Sequence, residues 1–531
     1  MKNTLSLVFL LFGVALGHLV SAEVRVHGLF SDGMVLQRNS QAPVWGWAAP
    51  GEQVIVTASW GARAETVASA DSSWQVQLAT PEAGGPFELT IAGQNTLTIS
   101  DVWTGEVWLC TGQSNMDFTM SQLTKDAREP KYQPLVDYIR KEIATASDTL
   151  IRHIEVPRRT SIAKEEKDFS ADWRSVGPEQ TGKISATAYF FARKLRKALN
   201  VPVGLVECSW GGTRIQPWIP VEAYRQHPDL RTYFENNRKH IRRIIDSVSV
   251  EDFKDVEFEA RFAAWQASDR SDSRPWPRVH PQNDKQVPAT LYNGMLAAVV
   301  PYRIAGALWY QGESNSHFKE EEHELYFKTL ISSWRAAWNQ GAFPFYYVQL
   351  ANYEARDKRS DGGWAMVNDA MRRGLELPNT GMAVLTDIGE AKDVHPHNKM
   401  DVGDRLARWA LAKNYGVDVE AVSGPLFSAV KHKKGRSIVK FEQVGSGLMV
   451  GQKHLMEPTK EVDEPLVGFE IAGSDGVWYP AEATIAGKDK VMVSSDQVQE
   501  PVAVRFAWSS NPEGINLYNR EGLPAATFTT P

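Results

Sequence analysis

The stretch Val107-Trp108-Leu109-Cys110-Thr111-Gly112-Gln113-Ser114-Asn115-Met116 decides how the chain is read. Val107–Cys110 is an uninterrupted apolar run, the pattern of a short strand buried on both faces of a sheet. The run breaks at Thr111-Gly112 and sets a serine two residues past the glycine. A serine there can project its hydroxyl into the crevice beyond a strand's carboxyl end, where open α/β sheets hold their sites. If a helix begins at that turn, its N–H groups also stabilise negative charge. Alone, the same serine reads equally well as a helix N-cap.

The pattern recurs outward from this stretch. Val203–Cys208 is a second buried strand, followed by Ser209-Trp210-Gly211-Gly212-Thr213-Arg214. Paired glycines let a backbone N–H approach a ligand closely, as an oxyanion donor must. Ile304–Tyr310 is a third strand and leads into Gln311-Gly312-Glu313-Ser314-Asn315. There Gln311 or Asn315 can donate to an oxyanion, and Glu313 can orient its neighbours. A fourth strand, Met382–Thr386, precedes Asp387-Ile388-Gly389 and then Asp393-Val394-His395-Pro396-His397. A histidine positioned by an acid is the general-base element of a serine hydrolase, and Asp393, Glu390 or Asp387 can be that acid. Asp393, His395 and His397 alternate and can chelate. A catalytic metal site needs three ligands in fixed geometry, however, and no second cluster supplies them, so no metal is expected. Neither a P-loop nor a dinucleotide fingerprint is present.

Between these strands lie amphipathic segments: Ala188–Leu199, with Ala188, Phe191, Ala192 and Leu195 on one face, and His323–Trp338. With Phe343–Gln349 as a further strand, the alternation predicts an α/β region over residues 101–418, a parallel sheet with helices on both faces. Residues 221–285 interrupt it with a basic amphipathic stretch at Leu230–Ile245 and a Pro/Asp/Ser-rich loop at Ser268–Gln282. They read as a helical insertion with a solvated face. Residues 23–100 (Val54–Ala58, Trp74–Leu78, Phe87–Ile91, Leu97–Ile99) and 419–531 (Ile438–Phe441, Val467–Ile471, Val491–Ser494, Val502–Ala507) are short alternating runs between turn clusters. They are expected to form flanking β-sandwich-like domains.

Composition agrees with a chain of 531 residues that is 43% hydrophobic and 23% charged, with a net charge of −6. That balance carries no nucleic-acid footprint and no polybasic membrane patch. The 18 tryptophans belong chiefly to cores, although flat indole faces also suit sugar rings. Two cysteines, Cys110 and Cys208, do not make a disulfide scaffold; they read as small buried residues at strand ends, with a single disulfide as the alternative. At the N-terminus, Lys2, the apolar run from Leu5 to Leu16 and Val20-Ser21-Ala22 form a secretory signal peptide cut after Ala22. The run is short of the ~20 residues that span a bilayer. A secreted or periplasmic protein without a membrane span is expected.

Together, the four loops resemble the sialate O-acetylesterase family of SGNH-type hydrolases, to which acetylxylan esterases are related. The resemblance extends to Phe30-Ser31-Asp32-Gly33-Met34-Val35-Leu36-Gln37-Arg38, Trp45-Gly46-Trp47, Gly105-Glu106-Val107-Trp108 and Gly514-Ile515-Asn516-Leu517-Tyr518-Asn519. It implies a serine esterase that removes acetyl groups from sialic acid or a related glycan through an acetyl-enzyme, without metal or organic cofactor. Ser114 matches the nucleophile, His395 the base, and Gly212, rather than Gly211, an oxyanion donor beside the Ser114 N–H. Two positions depart from the wider SGNH pattern. Lys392 stands where the usual acid lies, three residues before the histidine, and Asp393 is two before it. Ser314 replaces the usual third-block asparagine, which makes Gln311 the expected donor. Arg214 can pair bidentately with a substrate carboxylate. Other readings are an acetylxylan esterase and a non-catalytic carbohydrate-binding protein. A lipase of the α/β-hydrolase type would need a Gly-x-Ser-x-Gly elbow, which Ser114 lacks.

Overall fold

The computed structural model describes residues 23–268, 274–354 and 363–530. The expected signal peptide lies outside them, as does part of the expected loop at Ser268–Gln282. No helix among the described residues is long and apolar enough to cross a membrane.

The chain is a mixed α/β protein with a large central sheet, helices and additional β sheets. The central path runs Arg174–Ser175, Ile151–Glu155, Val203–Ser209, Thr96–Gly112, Gly306–Tyr310, Phe345–Gln349, Thr380–Val384. All neighbours pair in parallel except the first two, which are antiparallel. Register decides where the loops meet: Gly112 stands beside both Ser209 and Tyr310. Three of the four loops singled out in the sequence therefore leave the sheet side by side at its carboxyl edge.

Successive strand residues point to opposite faces, and each face has its own helical cover. Phe345 and Tyr347 pack on Phe327, and Phe345 also on Trp334, all on the His323–Trp338 helix. The intervening Tyr346 stacks on Trp409 of the Lys399–Asn414 helix, and Trp108 packs edge-on to Phe191 of the Ala186–Leu199 helix. Trp108, Trp218, Trp309 and Trp334 are fully buried, and truncating such a residue typically costs ~3–5 kcal/mol. The Ala186–Leu199 helix starts two residues earlier in the sequence than its apolar period suggests. The Ser185 side chain caps it by accepting the Ala188 N–H at 3.2 Å.

The expected boundary near residue 100 falls inside one continuous strand, Thr96–Gly112. Its first half pairs antiparallel with Gly84–Ala92, and its second half joins the central sheet. Asp101 takes a left-handed φ of 55° at the bend, and the paired strand is irregular between Gly84 and Leu89. Residues from Val24 to Val102 share one apolar core with the central sheet, whereas Val439–Phe528 build a second core around Phe528. The insertion contains the helices Val221–Gln226, Pro228–Ser247 and Phe258–Ala267. Cys110 and Cys208 are buried free thiols rather than a disulfide.

Candidate active site

Gly112 ends its strand at φ 140°, and a Cβ there would lie 2.1 Å from the Tyr310 carbonyl oxygen. Only glycine fits this approach. The chain then turns: Gln113 N–H donates to Tyr310 O at 2.9 Å, and a short helix opens at Ser114. Gln113, not Ser114, occupies the cap position. The Ser114 hydroxyl is thus free to face His395, whose Nε2 lies 2.9 Å from Ser114 Oγ. The imidazole stacks on Phe118, with ring centroids 4.1 Å apart. Burial first, and then the charge of Lys399, push His395 down to about 4. The ring is therefore neutral and proton-accepting at neutral pH.

Of the three candidate acids, Asp393 alone adjoins this histidine. Its Oδ1 accepts the His395 N–H at 3.0 Å and lies 3.8 Å from Nδ1, beyond hydrogen-bond range. Its Oδ2 pairs with Arg128 Nε at 3.0 Å. Asp387 is committed to Arg405 at 2.6 Å, and Glu390 binds His397 Nδ1 at 2.8 Å.

The glycine pair lies against Ser114: a Cβ on Gly211 would be 3.4 Å from Ser114 Cβ. Side chains hold every other polar group of the pair. Asp117 Oδ2 accepts the Gly211 N–H at 3.1 Å, while Lys285 Nζ and Gln286 Nε2 donate at 2.6 Å to the Gly211 and Gly212 carbonyls respectively. Arg158 holds Asp117 in turn at 2.6 Å. Gly212, at φ 70°, keeps an N–H without an acceptor among the described residues. Ser114 N–H is likewise without one, as the first N–H groups of a helix are.

Gln311 requires a correction. Its side chain is fully buried, and Nε2 donates to Asn315 Oδ1 at 2.8 Å and to Thr213 O at 3.2 Å. An amide spent on these partners is not available to an oxyanion. Asn315 is committed in the same way, to Gln216 Oε1 and Phe318 O. The block instead braces the turn that carries Ser114: Ser314 N–H donates to Gln113 Oε1 at 3.1 Å, and Glu313 Oε1 accepts from Asn115 Nδ2 at 2.5 Å.

With this geometry stands a family match. The family model described as carbohydrate esterase, sialic acid-specific acetylesterase, matches residues 104–245 and 278–412. The chain belongs to that family. A crystal structure of a novel carbohydrate acetylesterase from Xanthomonas citri is 32% identical, with a TM-score of 0.77, and the match covers 96% of this chain and 99% of that one. The sialate O-acetylesterase of Mus musculus is 28% identical over 547 residues, 93% of this chain and 92% of that protein. That of Homo sapiens is 27% identical over 550 residues, with 95% and 92% covered. As a member of this esterase family, the chain is a carboxylic ester hydrolase.

In this esterase, Arg214 lies beside the glycine loop, its N–H donating to Gln286 Oε1 at 3.0 Å. Its guanidinium stacks 3.6 Å from the Phe318 ring centroid and lines a cavity of about 460 Å³ with Tyr233, His240, Phe253, Arg278 and Lys319. Burial lowers its pKa, against the pull of Asp284, a carboxylate that lines the same cavity; no carboxylate among the described residues forms an ion pair with it. Several residues of the site escaped the sequence reading. Asn115 and Asp117 adjoin Ser114 and carried a positional signal. Arg128, Arg158, Lys285 and Gln286 come from distant loops with no local signature of their role.

Proposed function

We propose that the chain hydrolyses O-acetyl esters of sialic acid or a related acidic glycan through an acetyl-enzyme on Ser114. The observation that carries this reading is the 2.9 Å contact between Ser114 Oγ and His395 Nε2, set beside an N–H of Gly212 that has no acceptor among the described residues. His395 Nε2 takes the Ser114 proton as Oγ bonds to the acetyl carbonyl carbon. The carbonyl oxygen becomes an oxyanion held by the N–H groups of Ser114 and Gly212. Removing one such donor typically costs ~10²–10³ in kcat. The imidazolium returns its proton to the departing sugar oxygen as the C–O bond breaks. A water that gives its proton to His395 then attacks the acetyl-serine. A second tetrahedral intermediate collapses, the proton returns to Ser114, and acetate leaves.

In this reading Asp393 orients His395 through its backbone N–H and balances the imidazolium electrostatically across 3.8 Å. The guanidinium of Arg214, which forms no ion pair among the described residues and lines an open cavity, supports a substrate carboxylate, which favours sialic acid over the neutral backbone of xylan. Residues 101–418, with the insertion at 221–285, act in this reading as an SGNH-type catalytic domain; the β-sandwich-like region at 23–100 runs into it through the strand Thr96–Gly112 and shares its core, and a β-sandwich-like domain with a core of its own follows at 419–531. Residues 1–22 form a signal peptide, and the mature chain is secreted or periplasmic. The test of function is acetate release from O-acetylated sialic acid and from acetylated xylan, with Ser114→Ala alongside. Release that survives the substitution refutes the nucleophile, and equal rates on both substrates refute the acidic preference.

A further inference from the structure

Beneath the site lies a lysine with no role in the chemistry above. Lys399 opens the Lys399–Asn414 helix and is fully buried. A cation at a helix N-terminus opposes the helix dipole, and a cation out of water is costly unless paired and hydrogen-bonded. What compensates it is the nucleophile turn itself. Lys399 Nζ donates at 2.6 Å to Asn115 Oδ1, the side chain next to Ser114. Asn115 Nδ2 in turn donates at 2.9 Å to the carbonyl of Val394, next to His395, and also to buried Glu313. Asn115 is therefore the strut between the nucleophile turn and the base loop. Lys399 and Glu313 grip opposite ends of its amide and permit only one orientation of it.

Resting on the Ser114–His395 reading, we infer that Lys399 is a positioning residue for the esterase reaction. It fixes the nucleophile turn against the base loop through Asn115, and its charge disfavours a second cation on His395. The groups facing His395 are the Phe118 ring, Lys399, Asp393, Arg128 and His397. Of these, Lys399 is the largest charge opposing protonation of the ring. Those facing Lys399 are Asn115, the Tyr310 ring, Glu313, Glu390 and Asp393. Burial brings Lys399 down to about 7, against the opposing pull of Glu313, Glu390 and Asp393. It thus carries its charge through the acid range in which His395 would otherwise take up a proton.

The experiment is the pH profile of kcat/KM for acetate release by the full chain, comparing native protein, Lys399→Met and the double variant Lys399→Met/Glu313→Gln. The double variant removes both buried charges together and so avoids stranding Glu313 alone, which by itself can prevent folding. The expected result is an acid limb moved up by about one pH unit, with kcat lowered about tenfold and KM little changed. A folded variant, with native circular dichroism, whose acid limb coincides with that of the native protein overturns the inference. Ser114→Ala separates the two levels. Activity surviving that substitution refutes the Ser114 reading itself; activity abolished by it, with an unmoved acid limb, refutes the Lys399 role alone.

Discussion

Acid titration of the base is the most discriminating perturbation of this site. Burial of the ring and then the Lys399 charge lower His395 from 6.5 to about 4, so the free base persists until the pH falls through that value. The acid limb of kcat/KM reports the essential base of the free enzyme. At a pH of about 5, a ring with its pKa near 4 is about 90% unprotonated, whereas a ring at the ordinary value of about 6.5 is only about 3% so. The reasoning thus predicts nearly full activity at that pH instead of a loss of about thirtyfold. The assay is the initial rate of acetate release well below KM from about pH 3.5 to 8. Each sample is returned to neutral pH and re-assayed to separate titration from acid unfolding. A limb centred near 6.5 in protein that recovers fully would refute the assignment of a buried, cation-flanked His395 as the base.

Three further outcomes follow from the geometry. Lys285 donates to the Gly211 carbonyl at 2.6 Å, which polarises the peptide whose N–H is that of Gly212. Lys285→Met should lower kcat about tenfold with little change in KM, measured by steady-state acetate release. Arg214→Met should raise KM about 10–100-fold for an O-acetylated sialic acid but leave a neutral acetylated xylo-oligosaccharide unaffected; parallel losses on both would argue for a packing role against Phe318. His323 is fully buried, neither ring nitrogen has a hydrogen-bond partner among the described residues, and burial lowers it from 6.5 to about 3. The unfolded chain therefore binds the extra proton between those values, and stability falls as pH drops through that window. His323→Phe should flatten the dependence of Tm on pH there, as read by thermal melts.

The strands and helices were legible because their signals are local. The His323–Trp338 helix and the buried strand at Val203 can be read from apolar spacing alone, and a buried strand gives nearly the same signal in any sheet. The strand Thr96–Gly112 reads in the sequence as two, Leu97–Ile99 and Val107–Cys110, because its apolar pattern lapses between them. In the fold, Asp101 bends the strand through a left-handed conformation without ending it. Gln311 was misassigned because a polar side chain after a strand looks the same whether it faces the crevice or a buried Asn315. The hydrogen bonds that distinguish the two come from Thr213 and Asn315, and only one of these is nearby in sequence.

By itself the sequence determined which residues can do the chemistry: a serine past Gly112, a glycine pair, and an Asp-Val-His. These are properties of residue type and of spacings within a few positions. Only the tertiary structure decided that Ser114 and His395, 281 positions apart, share a hydrogen bond. It also decided that Asp393 rather than Glu390 or Asp387 adjoins His395, that the Gly212 N–H has no acceptor among the described residues, and that Lys399 bonds to Asn115 beside Ser114. The physical reason is sheet register. Parallel pairing of Gly112 with Ser209 and Tyr310 brings loops together that the chain separates by about a hundred residues. Which side chain then points at which depends on packing against helices from elsewhere in the sequence.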